Sequence, residues 1–169
     1  MMYTPLLEAM ACSKQSNVIP VFGPINADLA MRTISCLTAL SNEDPTQEIQ
    51  LSICSYGGEI SAGLAILDTV LLLPNPISTI GLGSVASMAA ILACCGGNMG
   101  HRYLSSNAEL MLHQPVGQMA GSASEIENHT KHLLSTRQRI NSLLSEATGL
   151  KPSRIARLLR QDRWFSAQE

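Results

Sequence analysis

Two segments of the chain hold residues that could carry nucleophilic chemistry. Ser87 stands where an apolar, strand-like stretch gives way to a run of small residues that favours a helix, and His113 ends a second apolar stretch. A serine hydroxyl is a weak nucleophile until a neighbouring base takes its proton. If the fold brings Ser87 and His113 together, the sequence predicts a hydrolase with an activated serine.

Main-chain donors are the second requirement of serine chemistry, because attack on a carbonyl forms an oxyanion that N–H groups must receive. A serine at the first turn of a helix has such donors nearby, since the first N–H groups of a helix have no internal acceptor. Gly57 and Gly58 follow a predicted strand and could present a further N–H, although most glycine pairs are only turns. The alternative for Ser87 is a helix N-cap, a role for which Ser84 competes.

An orienting carboxylate is the third requirement. Asp162, near the C-terminus, is the candidate, and such a carboxylate has to be buried and close to the histidine. Trp164 and Phe165 offer packing around it, whereas the alternative is a surface pair with Arg163. Spacing leaves three other aspartates open: Asp28, Asp44 and Asp68.

The histidines also have other interpretations. A lone histidine after an apolar strand, such as His113, is more often a structural hydrogen-bonding group than a base. His129 and His132 lie three residues apart and could share a helix face, but no third metal ligand is evident. His101 follows a glycine-rich loop. We predict no metal site and no cofactor held by this chain.

Composition limits the class of protein. The chain of 169 residues is long enough for one domain with a sizeable core. Hydrophobic residues make up 46% of it and charged residues only 14%, which favours a surface partly covered by further copies of the chain. The net charge of −2 argues against a nucleic-acid partner.

Cysteine usage and hydropathy favour a reducing compartment without a membrane. The five cysteines, an odd number without a Cys-x-x-Cys motif, are interpreted as buried and reduced. Glu8 interrupts the apolar N-terminal patch, which makes it a poor signal peptide. Residues 79–97 are apolar, but their four glycines and their change of pattern favour a buried strand–turn–helix over a membrane span.

Strand and helix patterns alternate along the chain, which predicts an α/β protein without repeats or a second domain. The predicted strands cover 18–22, 49–54, 77–81, 102–104 and 110–112. The predicted helices cover about 26–40, 61–73, 86–95, 122–147 and 152–160, and Ser166 is expected to cap one more. Asn26 or Asp28 is expected to cap the first of these helices.

Five ordered motifs together resemble the proteolytic subunit of the Clp protease, the ClpP family, from about Val18 to the last residue. They are Ser-x-Gly-Gly at 55–58, Ala-Gly-Leu-Ala-Ile-Leu-Asp-Thr at 62–69, Ala-Ser-Met at 86–88, Met-Leu-His-Gln-Pro at 111–115 and Asp-Arg-Trp-Phe-Ser-Ala at 162–167. The resemblance implies Ser87 as nucleophile, His113 as general base and Asp162 as orienting carboxylate. The oxyanion donors it implies are the backbone N–H groups of Gly58 and Met88.

The same resemblance implies an architecture and partners. It implies a crotonase-like α/β fold in one protease domain, 18–169, with a protruding handle helix at about 122–147, preceded by an N-terminal axial segment, 1–17. Identical or paralogous subunits would form two stacked seven-membered rings around a chamber. An AAA+ Clp ATPase would use ATP to feed unfolded polypeptides into that chamber. The compartment would be the bacterial cytoplasm, or alternatively the plastid stroma or another organelle matrix.

Several positions depart from the family pattern. Tyr56 stands where proline is usual beside the oxyanion turn, and Gln50 and Ser52 replace aromatics where unfoldase loops dock. Arg160 and Gln161 replace an acidic–basic pair before the catalytic aspartate, which predicts an inter-ring switch that is absent or rewired. The family's final strand is missing, which predicts a truncated C-terminus.

Two other functions remain open on the sequence. The lost docking aromatics favour a mainly structural or regulatory subunit of a mixed ring, with weak or partner-dependent activity. A crotonase-type acyl-CoA enzyme would share the fold and a pair of oxyanion amides, but it would leave the Ser-His-Asp set unexplained.

Overall fold

The computed structural model describes residues 16–169, which form two compact units. The sheet unit contains the described residues up to Met111 together with Trp164–Glu169. The helical unit is Leu112–Arg163. Most of the predicted N-terminal axial segment, 1–17, lies outside the described residues, and the single-domain prediction for 18–169 stays a prediction.

The sheet unit is built on a mixed α/β pattern, as the alternation of elements predicts. The strands are β1 (Val18–Phe22), β2 (Ile49–Ser55), β3 (Ile77–Ala86), β4 (Arg102–Leu104), β5 (Glu109–Leu112) and β6 (Arg163–Ser166). Their order is β1-β2-β3-β5-β6, with β4 also pairing with β3. The β1–β2, β2–β3, β3–β4 and β3–β5 pairs are parallel. Strands of such sheets are buried on both faces, which explains the fully buried Leu51 and Ile53.

Three helices belong to this unit: α1 (Ala27–Glu43), α2 (Ile60–Leu72) and α3 (Met88–Gly96). Asn26 caps α1, because its side-chain oxygen accepts a hydrogen bond from the Leu29 N–H at 2.9 Å. Leu67 of α2 and Leu92 of α3 are fully buried, so both helices pack with an apolar face inward. Residues 79–97 are divided between β3 and α3, and no helix within 16–169 is long and apolar enough to cross a membrane.

The helical unit contains two helices, α4 (Ala123–Thr148) and α5 (Pro152–Leu158). Ser122 and Glu125 form a capping box at the start of α4, and Gly149 ends it with a left-handed backbone at φ 71°. The helices pack through a small apolar seam whose buried members are Ile140, Leu144, Ile155 and Leu159. The predicted 122–147 helix is therefore present to within one residue at each end.

Several sequence predictions of local structure are wrong. Strand β3 continues to Ala86, and α3 begins only at Met88. Residues 163–166 form β6, so the helix expected after Ser166 is not formed. Cys54, Cys94 and Cys95 are free, as the interpretation of reduced cysteines predicts for them. Burial raises the pKa of the Cys94 thiol to about 11, and Cys12 lies outside the described residues.

Candidate active site

Ser87 occupies a tight corner between β3 and α3. Its backbone lies at φ 55° and ψ −121°, and it is the only non-glycine residue with positive φ in the described part of the chain. Such a conformation costs about 1–3 kcal/mol in a non-glycine residue and concentrates at functional sites. Hydrogen bonds fix the corner on both sides: the Ser87 N–H donates to the Met111 carbonyl at 2.9 Å, and its carbonyl accepts from the Ile91 N–H at 3.2 Å.

The hydroxyl of Ser87 does not act as an ordinary helix cap. The residue occupies the N-cap position of α3, but its side chain makes no capping hydrogen bond. A capping serine has an extended backbone, which is incompatible with the positive φ observed here. Ser84 does not cap the helix either, because it lies within β3 with its Oγ buried and without a hydrogen-bond partner. The Ser87 hydroxyl therefore does not cap α3.

An irregularity in the sheet leads to this corner. Between the pairs Ile53–Gly81 and Ser55–Val85, β2 advances two residues while β3 advances four. Gly83 lies in this bulge at φ 58°. Bulges of this kind bend a strand and change the direction of the residues that follow. The bulge therefore sets how the end of β3 presents Ser87.

Gly57 packs directly against the Ser87 corner. A Cβ atom at Gly57 would lie 2.7 Å from the Ser87 Cβ, 2.8 Å from the Ala86 carbonyl oxygen and 2.9 Å from the Met88 nitrogen. The φ of Gly57, 92°, is itself a conformation that other residues resist. Both the space and the backbone therefore require glycine here.

Gly58 presents its N–H on the side away from Ile25. The Ile25 N–H donates to the Gly57 carbonyl at 2.9 Å, and the Glu59 N–H donates to the Ile25 carbonyl at 2.7 Å. In this parallel bridge the flanking residues face Ile25, so the main-chain groups of Gly58 point to the opposite side. The Gly57 N–H is already used, because it donates to the buried Ser55 Oγ at 3.0 Å. Gly58, which is exposed, is therefore the glycine of the pair that can donate.

Met88 is the second predicted donor. It is the first residue of α3, where an N–H group has no acceptor within the helix. Its side chain is 2% exposed and packs against Gly63 of α2, where a Cβ atom would collide with it. This packing holds the Met88 backbone beside Gly57. The sheet unit thus brings three of the predicted site residues together: Gly58, Ser87 and Met88.

The other two predicted site residues form a pair within the helical unit. The His113 Nδ1 and the Asp162 Oδ1 are 3.9 Å apart, an ion-pair distance that is too long for a hydrogen bond. The His113 side chain is 20% exposed, but that of Asp162 is 68% exposed. The expectation that Asp162 is buried is therefore wrong for the single chain. Trp164, which was expected to provide packing, is itself 47% exposed.

Two of the alternative carboxylates are engaged elsewhere. Asp28 pairs with Arg32 at 3.1 Å on the surface of α1. Asp44 accepts hydrogen bonds from the Thr46 side chain at 2.7 Å and its N–H at 2.8 Å, which lower the pKa of the Asp44 carboxyl. No group of three or more possible metal ligands among His, Cys, Asp and Glu occurs within residues 16–169.

Comparison with known families decides the classification. A family model described as Clp protease matches residues 7–169. The chain belongs to the Clp protease family. Membership in the Clp protease family implies a serine peptidase, and members generally form oligomeric rings.

Ser55 and Ile25 also contribute to the site, although the sequence predicted no role for either side chain. Ser55 is 3% exposed and holds the Gly57 N–H, while Ile25 anchors both sides of Gly58. A serine two residues before a glycine is the pattern of a side-chain-closed turn, so Ser55 had a detectable signal. Ile25 had none, because its contact spans more than thirty residues of sequence.

The departures from the Clp protease pattern have distinct environments. Tyr56, directly before the Gly57–Gly58 turn, is 77% exposed. On β2, the Gln50 side chain donates to the Ser52 Oγ at 3.2 Å, and Ser52 is 8% exposed. A partly buried, hydrogen-bonded polar pair therefore occupies the two β2 positions at which the sequence departs from the family pattern.

Proposed function

We propose that this chain is a proteolytic subunit of an ATP-dependent Clp protease, a serine endopeptidase that cleaves unfolded polypeptides. The corner at Ser87 carries the proposal, because a strained serine between two available N–H donors is the arrangement that acyl transfer needs. The match to the Clp protease family over residues 7–169 supports the peptide as substrate.

In this proposal Ser87, His113 and Asp162 act as a triad. The His113 Nε2 takes the proton of the Ser87 hydroxyl as Oγ attacks the peptide carbonyl carbon. Asp162 orients the ring through Nδ1, which requires the 3.9 Å separation of the single chain to close to hydrogen-bond distance. The hydrogen bond from the Ser87 N–H to Met111, two residues before His113, supports a short connection between nucleophile and base.

The N–H groups of Gly58 and Met88 receive the oxyanion in the tetrahedral intermediate. Collapse of that intermediate breaks the C–N bond, and His113 returns the proton to the leaving amine. Water then attacks the acyl-enzyme with His113 again as base, which releases the carboxylate product and restores Ser87. The chain needs no metal or cofactor of its own for these steps.

The assembly is part of the same proposal. Identical or paralogous subunits form two stacked heptameric rings with a crotonase-like fold, α4 acts as the handle between rings, and an AAA+ Clp ATPase delivers substrate. The 26-residue length of α4, with only Ile140 and Leu144 buried, supports the handle assignment because most of its surface is left for contacts. The bacterial cytoplasm, a plastid stroma or another organelle matrix would each suit this role.

A second candidate is a ring subunit whose activity depends on its partners. The exposed Asp162 and its 3.9 Å separation from His113 favour it, because a solvated carboxylate orients a histidine weakly. The polar Gln50–Ser52 pair on β2 also favours it, because aromatic anchors for an ATPase are lost there. Neighbouring subunits would then close the His113–Asp162 pair.

Peptide hydrolysis by matched serine variants tests the proposal. Ser87→Ala should abolish cleavage of a fluorogenic peptide while the oligomeric state is unchanged. Ser84→Ala is the matched control, because it removes a hydroxyl three residues away that makes no hydrogen bond. Equal turnover by wild type and Ser87→Ala would refute the serine mechanism. Activity that arises only after a paralogous subunit is added would favour the partner-dependent candidate.

A further inference from the structure

A cavity outside the proposed catalytic residues opens between α4 and α5 in the helical unit. Its volume is about 220 Å³, and it is lined by residues of both helices and of the segments beside them. Drug-sized pockets begin at roughly 300 Å³, so this cavity suits a group about the size of one amino-acid residue.

Two arginines are among the residues that line the cavity. Arg137 comes from α4 and Arg160 from the segment after α5. Neither of them is in an ion pair with any of the residues 16–169. Arginine presents a planar fork of donors that matches a carboxylate. Two such forks at one cavity create a site for an anion.

The surrounding charge strengthens this preference. From Leu112 to Arg163 the chain carries eight Lys and Arg but four Asp and Glu, a net charge of +4. The whole chain has a net charge of −2, so the positive charge is concentrated in the helical unit. Anions are therefore attracted to this unit in spite of the overall negative charge.

The remaining residues that line the cavity favour an organic carboxylate over an inorganic anion. Gln114, Gln138 and Asn141 contribute carboxamides, while Leu159 and Ala156 contribute apolar surface that a hydrated phosphate would not use. The Asn141 Oδ1 is enclosed and accepts no hydrogen bond from the described residues. Rotation of this carboxamide towards the cavity would give the oxygen a donor.

We propose that the cavity binds the C-terminal residue of a peptide. The terminal carboxylate pairs with Arg137 and Arg160, the adjacent peptide N–H donates to the Asn141 Oδ1, and the side chain lies on Leu159. A C-terminal residue is the group that combines a carboxylate, a neighbouring N–H and an apolar side chain within this volume.

This site extends the proposed function, and it rests on it only for the origin of the ligand. Each peptide-bond cleavage creates one new C-terminal carboxylate. Gln114 directly follows His113, and Arg160 lies two residues before Asp162, so a bound product would restrain both segments that carry the proposed base and its carboxylate. Product binding would thereby affect the next turnover.

Binding to the full-length Ser87→Ala chain tests the site without any contribution from catalysis. N-acetyl-leucine and N-acetyl-leucinamide are titrated while the chemical shifts of the helical unit are followed. The acid should bind at least about tenfold more tightly than the amide, because charge-assisted hydrogen bonds are lost with the carboxylate. Arg137→Gln and Arg160→Gln should each weaken the acid by about tenfold and leave the amide unchanged.

Arg154→Gln is the matched control, because it removes an exposed arginine of α5 that does not line the cavity.

Equal affinity for acid and amide would overturn the proposal, as would acid binding that survives both arginine substitutions. Tighter binding of inorganic phosphate would make this a general anion site and contradict it. Dissociation of the oligomer by Arg137→Gln, with no acid binding to wild type, would assign the cavity to a partner carboxylate instead. If Arg160→Gln unfolds the chain, the acid–amide comparison on wild-type residues and the Arg137→Gln variant still test whether the cavity binds a carboxylate.

Discussion

Gly57 approaches Ser87 so closely that a Cβ atom placed on it would lie 2.7 Å from the Ser87 Cβ. This contact packs the turn after β2 against the corner after β3. It therefore brings the N–H groups of Gly58 and Met88 to the same part of the sheet unit. The strained backbone of Ser87 is therefore part of a set of mutually supporting contacts within the sheet unit.

Replacement of Gly57 by alanine should damage both stability and activity. The new methyl group would meet the Ser87 corner, and the φ of 92° would be strained as well. We expect the free energy of unfolding to fall by about 2–4 kcal/mol, measured by urea denaturation, with peptidase activity largely lost.

Gly100→Ala is the control for this substitution. Gly100 has nearly the same φ, 85°, but a Cβ atom added to it would meet nothing within 4 Å. It should lose only the conformational term of about 1 kcal/mol and keep its activity. Equal effects at the two glycines would show that the close approach to Ser87 has no importance.

The loss of kcat on removal of the Asp162 charge should show whether the His113–Asp162 pair is exposed or enclosed in the active protein. In the single chain this carboxylate is 68% exposed and 3.9 Å from the His113 Nδ1, so water screens its influence. If this is the working geometry, Asp162→Asn should lower kcat by about tenfold or less. If assembly encloses the pair, the loss should approach the roughly 10⁴-fold known for a buried triad aspartate.

Steady-state kinetics of Asp162→Asn in the assembled protein distinguish these outcomes. Asp28→Asn is the control, because Asp28 pairs only with its helix neighbour Arg32 among the interactions described. An unchanged kcat in Asp162→Asn would remove Asp162 from the site altogether.

The start of α4 should loosen in acid. The Glu125 carboxylate accepts hydrogen bonds from the Ser122 hydroxyl and N–H, both at 2.7 Å, and these bonds lower the pKa of Glu125 below 4.5. A carboxyl whose pKa is lower in the folded than in the unfolded state stabilises the fold above the unfolded pKa. This stabilisation is lost as the pH falls through the folded pKa.

Carbon chemical shifts at the first turn of α4 measure this effect. The helical shifts should decline as the pH falls below about 4.5, and Glu125→Gln should remove most of that pH dependence. Glu127→Gln, which affects only an exposed pair with Lys131, should leave it in place. If the first turn of α4 loses its helical shifts with the same pH profile in Glu125→Gln as in wild type, the capping box does not cause the effect.

The sequence could predict what depends on local patterns. The change from strand to helix near Ser87, Asn26 as one of two candidate caps and the long helix α4 all follow from hydrophobic periodicity and from residues within four positions of one another. The Clp protease family was also identified from its motifs and is confirmed by the family match.

Other features depend on contacts that no local pattern encodes. The bridge between Ile25 and Gly58 directs the Gly58 main-chain groups away from Ile25, and it joins segments far apart in sequence. The short β6 depends on its place at the sheet edge after β5 and not on a periodic pattern of its own. The exposure of Asp162 depends on what surrounds it in three dimensions, so its expected burial was an assumption about the fold.

The central claim is that Ser87 is an activated nucleophile. A fluorophosphonate that reacts only with activated serines should modify the assembled wild-type protein once per chain. Peptide mapping by mass spectrometry should place the adduct on Ser87, with Ser84→Ala labelled like wild type and Ser87→Ala not labelled. An adduct on another residue, or labelling of Ser87→Ala to the wild-type extent, would contradict the account.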